Sequence, residues 1–401
     1  MESTGVDSRT VARLRERLTS EFGPSDERVL LVRCPGRTEI AGNHTDHEGG
    51  HVIAGAIDRY VTGLFRSNGT KTINLLSEGY DLVSVSLDVL EPVAEEHGTT
   101  KALVRGMAAL LARKGLVPAG FDCVLTSDVP VGSGLSSSAA FEVELARGMD
   151  ALWSGGDLPR EDLALMAQAD EREFFGKPCG LMDQASVALG GIQHMSFADP
   201  AALVASPIDF DFAASGYAIV LVAVGAGHEN LIDEYAAIPR EMQDVARLFG
   251  RTRLCDVSES DVTRDVSRVR EECGDRALLR ALHFFREERL VEERAARLGE
   301  GDVEGFLRLE RLSGASSAMY LQNVSTWGRE QDAMVALGLA DEILLERGAV
   351  RIHGGGFGGT IQAFVPLDMV DGFVSGMDAA FGRGASGVYN IDHEGVSALW
   401  L

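Results

Sequence analysis

The stretch PVGSGLSSSAA, Pro130 to Ala140, sets two spaced glycines and three consecutive serines between a strand-like run and a helical one. Gly132 and Gly134 let the backbone come close to a ligand and point amide groups at it, while Ser136, Ser137 and Ser138 add hydroxyl donors. A helix N-terminus carries about half a positive charge and unsatisfied N–H groups, so this loop attracts phosphate even in an acidic protein. The plainer reading is a serine N-cap on an ordinary helix, which accounts for one serine but hardly for three behind paired glycines.

Working outward, Gly120 to Ser127 reads as a strand, and Phe141, Leu145, Met149 and Leu152 follow the helical period after the loop. PREDLALMAQADEREFF, from Pro159, is a second helix ending before Gly176, and CGLMDQASVALGG holds a further short one. Upstream, Val11, Leu14, Leu18 and Phe22 mark an amphipathic first helix, and strand-like runs frame GNHTDHEGG, Gly42 to Gly50. Beyond about Ala205 come a buried strand, YAIVLVAVG, and a charged helical region from Asn230 to Gly314. AVRIHGGGFGGTIQAFVP then reads as strand, glycine run and strand. Two lobes are expected, residues 1–205 and 206–401, because 401 residues exceed one ordinary core.

The 37 basic and 61 acidic side chains give a net charge of -24, which argues against nucleic acid or an anionic membrane as the main partner. Five widely spaced cysteines without a C-x-x-C pair suggest neither a disulfide framework nor a zinc knuckle, and a reducing cytoplasm fits them. The N-terminus lacks the apolar core of a secretion signal, and the longest apolar run, Tyr217 to Val224, is too short to span a bilayer.

GGGFGG, Gly354 to Gly359, formally satisfies G-x-G-x-x-G, but a strand follows where a dinucleotide site needs a helix. Its glycines suit a backbone passing close to a ligand or to the first glycine loop, and a flexible hairpin fits equally. Asp183 lies where a buried carboxylate needs a partner, as an N-cap, in a salt bridge or at a functional site. Glu171 alone reads as a solvated helix face. GNHTDHEGG packs His44, Asp46, His47 and Glu48 together as a metal site, a cradle for a polar ligand or a solvated turn.

CPGRTEIAGNHTDHEGG, VPVGSGLSSSAA and IHGGGFGG, in that order, resemble the three motifs of the GHMP kinases, the superfamily of galactokinase, homoserine kinase, mevalonate kinase and phosphomevalonate kinase. The first resembles the galactokinase signature in particular, and CGLMDQ is similar to a galactokinase segment. The resemblance spans the chain from about Arg33 to the final strands. It implies an α+β fold of two lobes, mixed or antiparallel sheets flanked by helices, with the active site between the lobes. It also implies ATP-dependent phosphorylation of the anomeric hydroxyl of a hexose, D-galactose first.

Carried over by position, the resemblance has Gly132, Ser133, Gly134, Leu135, Ser136, Ser137 and Ser138 wrap the ATP phosphates, with Ser77 near the adenine. Ser138 and Glu171 hold Mg2+, a hard cation suited to hydroxyl, carboxylate and phosphate oxygens. Asp183 receives or orients the proton of the C1 hydroxyl, and Arg37 offsets charge on the transferring phosphoryl. Asn43, His44, Thr45, Asp46, Gly180 and Tyr235 are assigned to the sugar. Oligomeric state, monomer or dimer, is not legible.

The chain departs from the galactokinase pattern at the substrate end. Asn43 stands where a glutamate is usual and His47 where a tyrosine is usual, while Glu39 and Thr360 replace asparagine and cysteine. Glutamate would repel a carboxylate at sugar C6 and an amide would tolerate it, so galacturonate 1-kinase activity is a second reading. A sugar and ATP sensor without turnover is a third, opposed by the presence of Arg37, Ser138, Glu171 and Asp183 together.

Overall fold

Short apolar and β-branched runs bounded by glycines become the strands β1 (Leu30–Ala41), β2 (His51–Ser67), β3 (Thr72–Ser77), β4 (Val83–Ser86), β5 (Phe121–Ser127), β6 (Ile192–Ser196), β7 (Val204–Ile208), β8 (Tyr217–Ala223), β9 (Ala349–Ile352), β10 (Thr360–Pro366), β11 (Ser386–Tyr389) and β12 (Ser397–Trp400). The computed structural model describes residues 7–130, 134–200, 202–225, 232–325, 330–357 and 359–401. Two interleaved units emerge: Met1–Arg37, Ala56–Gly190 and Asp392–Leu401 in the first, Thr38–Gly55 and Gly191–Ile391 in the second. The division falls inside β2 because its two ends pair differently, Val61–Ser67 with β5 and His51–Gly55 with β6.

In the first unit the strand order is β12-β1-β2-β5-β3-β4. β3 and β5 run parallel, whereas β12 with β1, β2 with β5 and β3 with β4 are antiparallel. The helix Ser8–Phe22, started by Asp7 accepting the Arg9 N–H, buries Leu14 and Leu18 against Val29, Leu31, Leu64, Leu76 and Val124. The helix Ser137–Trp153 carries Ala139, Ala140, Ala146 and Gly148 on buried positions. A methyl at Gly148 would lie 2.6 Å from the Phe65 ring, so only the smallest residue allows this approach. The expected helix from Pro159 is Arg160–Asp170 followed by a π turn, Glu171–Phe175, and the short one is Met182–Leu189.

In the second unit β6 pairs with the start of β2 and with β7, and a four-stranded antiparallel sheet has the order β11-β8-β10-β9. Val220, Val222, Ile361 and Ala363 of that sheet pack with Ala336, Ala340, Phe373 and Met377 from the helices Asp332–Leu344 and Val370–Phe381. Phe210, Phe212, Phe306 and Phe364 form an aromatic group with ring centroids 4.8 to 5.6 Å apart. The charged region resolves into Ile232–Leu248, Asp275–Gly299, Val303–Ser316 and two shorter helices, Glu259–Arg264 and Val266–Glu272. This is the mixed α+β class expected from sequence. All five cysteines are free, and no helix among the described residues is long and apolar enough to cross a membrane.

Each unit buries carboxylates, with opposite consequences for pH. In the first, Glu144 is 0% exposed, and among the described residues neither oxygen has a hydrogen-bond partner. Burial pushes its carboxyl well above the usual range, so folding favours the protonated form. That contribution is complete below pH about 4.5 and lost as pH rises toward the folded value. Glu144→Gln is therefore expected to raise the melting temperature by about 3 °C at pH 8 and by much less at pH 5.

In the second unit, burial would raise the Glu287 carboxyl, but Arg294, His283, Arg351 and the Ser313 hydroxyl hold it down at about 2. Its stabilisation is present above pH about 4.5 and lost as pH falls toward 2. Glu287→Gln should cost about 3 kcal/mol at neutral pH, since it removes one of the two carboxylates that pair with the buried Arg294, and should flatten urea-derived stability between pH 4.5 and 2.

Candidate functional site

The phosphate-loop reading and the Asp183 reading meet in the first unit. Asp183 lies in the first turn of Met182–Leu189, and its side chain is 34% exposed. Arg37, at the end of this unit's first segment and only 6% exposed, donates from Nε to Asp183 Oδ1 at 2.8 Å, with Nη2 also 2.8 Å from that oxygen. Arg37 Nη1 also donates to the Gly134 carbonyl, and the Arg37 N–H donates to the Leu135 carbonyl at 3.1 Å. One guanidinium thus ties the loop to the carboxylate.

Ser136 occupies the N-cap position of Ser137–Trp153 with a left-handed φ of +58°, yet its hydroxyl makes no cap bond. The hydroxyl donates to Asp183 Oδ2 instead. The plain N-cap reading therefore fails for this serine, whose side chain serves the aspartate. Gly134 and Ser138 are exposed, Ser137 is half-buried and Leu135 is buried. Gly132 and Ser133 lie outside the described residues. Ser77 ends β3, level with Leu125 of β5, and Gly180 is exposed just ahead of the Asp183 helix.

Glu171 opens the π turn and is 4% exposed, so it is no solvated helix face. Its Oε1 lies 2.7 Å from Lys177 Nζ, and its Oε2 accepts from Gln184 Nε2 at 2.9 Å. Gln184 Nε2 also reaches Glu142 Oε2 at 3.2 Å. Burial and the neighbouring Glu171 charge push the Glu142 carboxyl up to about 8, so that residue holds a proton at neutral pH. Glu171 already receives the Lys177 cation, and its carboxylate is a hard oxygen donor; the Ser138 residue is exposed. Among the described residues, no group of three or more His, Cys, Asp or Glu is arranged to hold a metal ion.

GNHTDHEGG belongs to the second unit and forms a 3-10 turn, Asp46–Glu48. Its polar groups do not converge on a point; they run in a chain. His44 Nε2 lies 2.9 Å from the Gly355 carbonyl, which can only accept, so that nitrogen carries the hydrogen and Nδ1 takes the contact to His47 Nε2 at 3.1 Å. Burial, with His47 beside it, lowers the His44 imidazole to about 3. His47 Nδ1 lies 3.3 Å from Glu48 Oε1, and Glu48 Oε2 accepts the Leu254 N–H at 3.0 Å. Glu48 is thus an anchor for the turn. Gly49 has φ +79°, and a methyl there would meet Cys255 Sγ at 2.6 Å.

Asn43 and Thr45, both expected at the sugar, are fully buried. The Thr45 hydroxyl faces the Gly42 and His51 carbonyls at 2.9 and 2.6 Å and closes the turn. Asn43 donates to the Gly354 carbonyl at 2.5 Å and to Glu39 at 3.4 Å, and accepts from Ser317 at 3.1 Å and Asn323 at 2.8 Å. Both side chains are turned to the protein. Asp46 is half-buried, and among the described residues its carboxylate takes no hydrogen bond. Tyr235 is 51% exposed with its ring 5.5 Å from that of His44.

The second glycine run closes on this turn within the same unit, and Gly358 lies outside the described residues. A methyl at Gly355 would come 2.1 Å from the Tyr235 ring, and at Gly356, φ +75°, it would come 2.1 Å from the Asn323 carbonyl. The run is therefore close-packed, unlike the flexible hairpin that the sequence left open. Sequence reading missed the residues beneath the turn. His283 Nε2 donates to the Asn43 carbonyl at 2.9 Å, Glu287 accepts the Gly42 N–H at 3.3 Å, and Glu288 accepts the His51 N–H at 2.7 Å. All three come from Asp275–Gly299, in the charged region whose helical character was the signal available in the sequence.

The Galactokinase galactose-binding signature matches residues 16–67, and the GHMP kinases N terminal domain matches residues 102–191. A galactokinase of Streptomyces coelicolor is 31% identical over 366 residues, covering 91% of this chain and 92% of that protein. One from Mannheimia succiniciproducens is 31% identical over 368 residues, covering 89% and 90%. The structure of Lactococcus lactis galactokinase complexed with galactose superposes with a TM-score of 0.80 at 24% identity, covering 98% of this chain and all of that one, a likeness of fold. With relatives at that identity along nine-tenths of its length, the chain belongs to the galactokinase family of the GHMP kinases.

Proposed function

We propose that this protein transfers the γ-phosphoryl group of ATP to the anomeric hydroxyl of D-galactose, giving galactose 1-phosphate and ADP. The observation that carries the reading is the Arg37–Asp183–Ser136 constellation in a member of the galactokinase family. The C1 hydroxyl oxygen forms the new bond to Pγ, its proton passes to Asp183, and the bond from Pγ to the β-γ bridging oxygen breaks to release ADP. Arg37 and Ser136 fix the two carboxylate oxygens of Asp183, so the group that takes the proton is oriented before substrate arrives.

The exposed start of Ser137–Trp153, with Ser137, Ser138 and the backbone from Gly132 onward, receives the ATP phosphates. Glu171 and Ser138 would hold Mg2+, which neutralises phosphate charge when bound. On the sugar side, Asp46 and Tyr235 are the side chains assigned to the hydroxyls, and His44, bonded to protein at both ring nitrogens, positions the turn that carries Asp46. The neutral amide at residue 43 makes galacturonate the second sugar to test.

ADP release should be measured with galactose, galacturonate, N-acetylgalactosamine, arabinose and glucose. Galactose turnover is expected, and ATP and galactose binding without turnover on any sugar would make the protein a sensor. Asp183→Asn should lower kcat about 1000-fold while calorimetry shows galactose binding retained, and near-normal turnover would remove Asp183 from this role. Glu171→Ala should raise the Mg2+ concentration for half-maximal rate about tenfold, and an unchanged requirement would move the metal elsewhere.

A further inference from the structure

Two of the departures from the galactokinase pattern, Glu39 and Asn43, touch each other. A primary amide has two N–H donors and two acceptor lone pairs, and all four positions of Asn43 are filled by protein. Its orientation is fixed, because Nδ2 faces the Gly354 carbonyl and the Glu39 carboxylate, which accept, and Oδ1 faces the Ser317 hydroxyl and the Asn323 amide, which donate. A carboxylate at residue 43 has no N–H for either acceptor and would bring a second negative charge against Glu39. That carboxylate is itself held in place, since Arg351 Nη2 lies 2.8 Å from Glu39 Oε1 and donates to the Glu39 carbonyl at 2.9 Å. Arg351 is 0% exposed and Glu39 is 4% exposed.

Where the family pattern has amide at 39 and acid at 43, this chain has acid at 39 and amide at 43. The acid has moved away from the sugar-binding turn and onto a buried arginine. We propose that Glu39 and Asn43 are an exchanged acid–amide pair, locked by Arg351, that leaves the C6 end of the sugar pocket without a carboxylate and so admits hexoses carrying either a hydroxymethyl or a carboxylate at C6. The proposal rests on the sugar 1-kinase reading above. The pair works as a unit, so glutamate at residue 43 is compatible with this environment only when residue 39 gives up its charge.

The test is a double-mutant cycle on the full chain with Asn43→Glu, Glu39→Asn and the double variant. It is read by ligand-free melting temperature and by kcat/KM for galactose and galacturonate. The parent should turn over galacturonate within about 100-fold of galactose. Asn43→Glu should lower the melting temperature by about 5 °C or more and kcat/KM at least about 50-fold on both sugars. The double variant should recover at least half of the lost melting temperature, regain galactose turnover to within about tenfold of the parent, and lose galacturonate.

If Asn43→Glu does not fold, recovery of folded protein in the double variant is the same readout. Additive melting-temperature effects, Asn43→Glu behaving as the parent, or a parent inert toward galacturonate would each overturn the proposal. Coupled melting temperatures with no turnover of any hexose by the parent would instead overturn the kinase reading and leave the coupling of the pair standing.

Discussion

A chain of buried ion pairs holds the second unit's turn in place. Glu39 pairs with Arg351, Arg351 with Glu310, Glu310 with Arg294, and Arg294 with Glu287, in contacts no longer than 2.8 Å. Two arginines stand against three glutamates, all at most 4% exposed. Separating any of these groups from its partners leaves an ion that the interior cannot solvate, so each fixes the next. The excess charge is met by neutral donors: the Gly42 N–H and the Ser313 hydroxyl at Glu287, and the Asn43 amide at Glu39. Two of those donors belong to the turn itself. The charge chain therefore sets the backbone of GNHTDHEGG from below, and His283 adds a third tie at the Asn43 carbonyl.

The first unit uses a different device. Three small residues and a glycine let Ser137–Trp153 lie close to its neighbours, which fixes where that helix begins. At its start, the left-handed Ser136 turns its hydroxyl away from capping and toward Asp183. That side chain therefore leaves the N–H groups of the first turn uncapped. Arg37 joins the loop carbonyl at Gly134 to the same aspartate. The loop carbonyl, the start of the helix and the carboxylate are thereby tied together by one guanidinium and one hydroxyl.

Burial changes the meaning of several residues singled out by type. His44 is neutral because it is desolvated, and with both nitrogens bonded it links His47 to the Gly355 carbonyl. Glu171, in an acidic run that reads as solvent-facing, is buried between Lys177 and Gln184. Asn43 and Thr45 spend their hydrogen bonds on the protein, whereas among the described residues the Asp46 carboxylate takes none. The same residue types at the same spacing divide into scaffold and contact according to which backbone atoms lie opposite them.

The periodicity of Leu14 and Leu18, the strand, loop and helix pattern around Pro130 to Ala140 and the ordered motifs determined the α+β class and the family by themselves. Such signals are local, arising from side-chain alternation, glycine placement and caps within a few residues. Only tertiary structure decided that the chain interleaves two units, that GGGFGG closes on the Asn43 turn, and that Glu39, Glu287 and Arg351 stand beneath it. Those facts depend on contacts between residues about 250 to 310 positions apart, such as Gly42 with Glu287 and Glu39 with Arg351. Whether a buried charge has a partner is a property of the folded interior, and no local pattern encodes it.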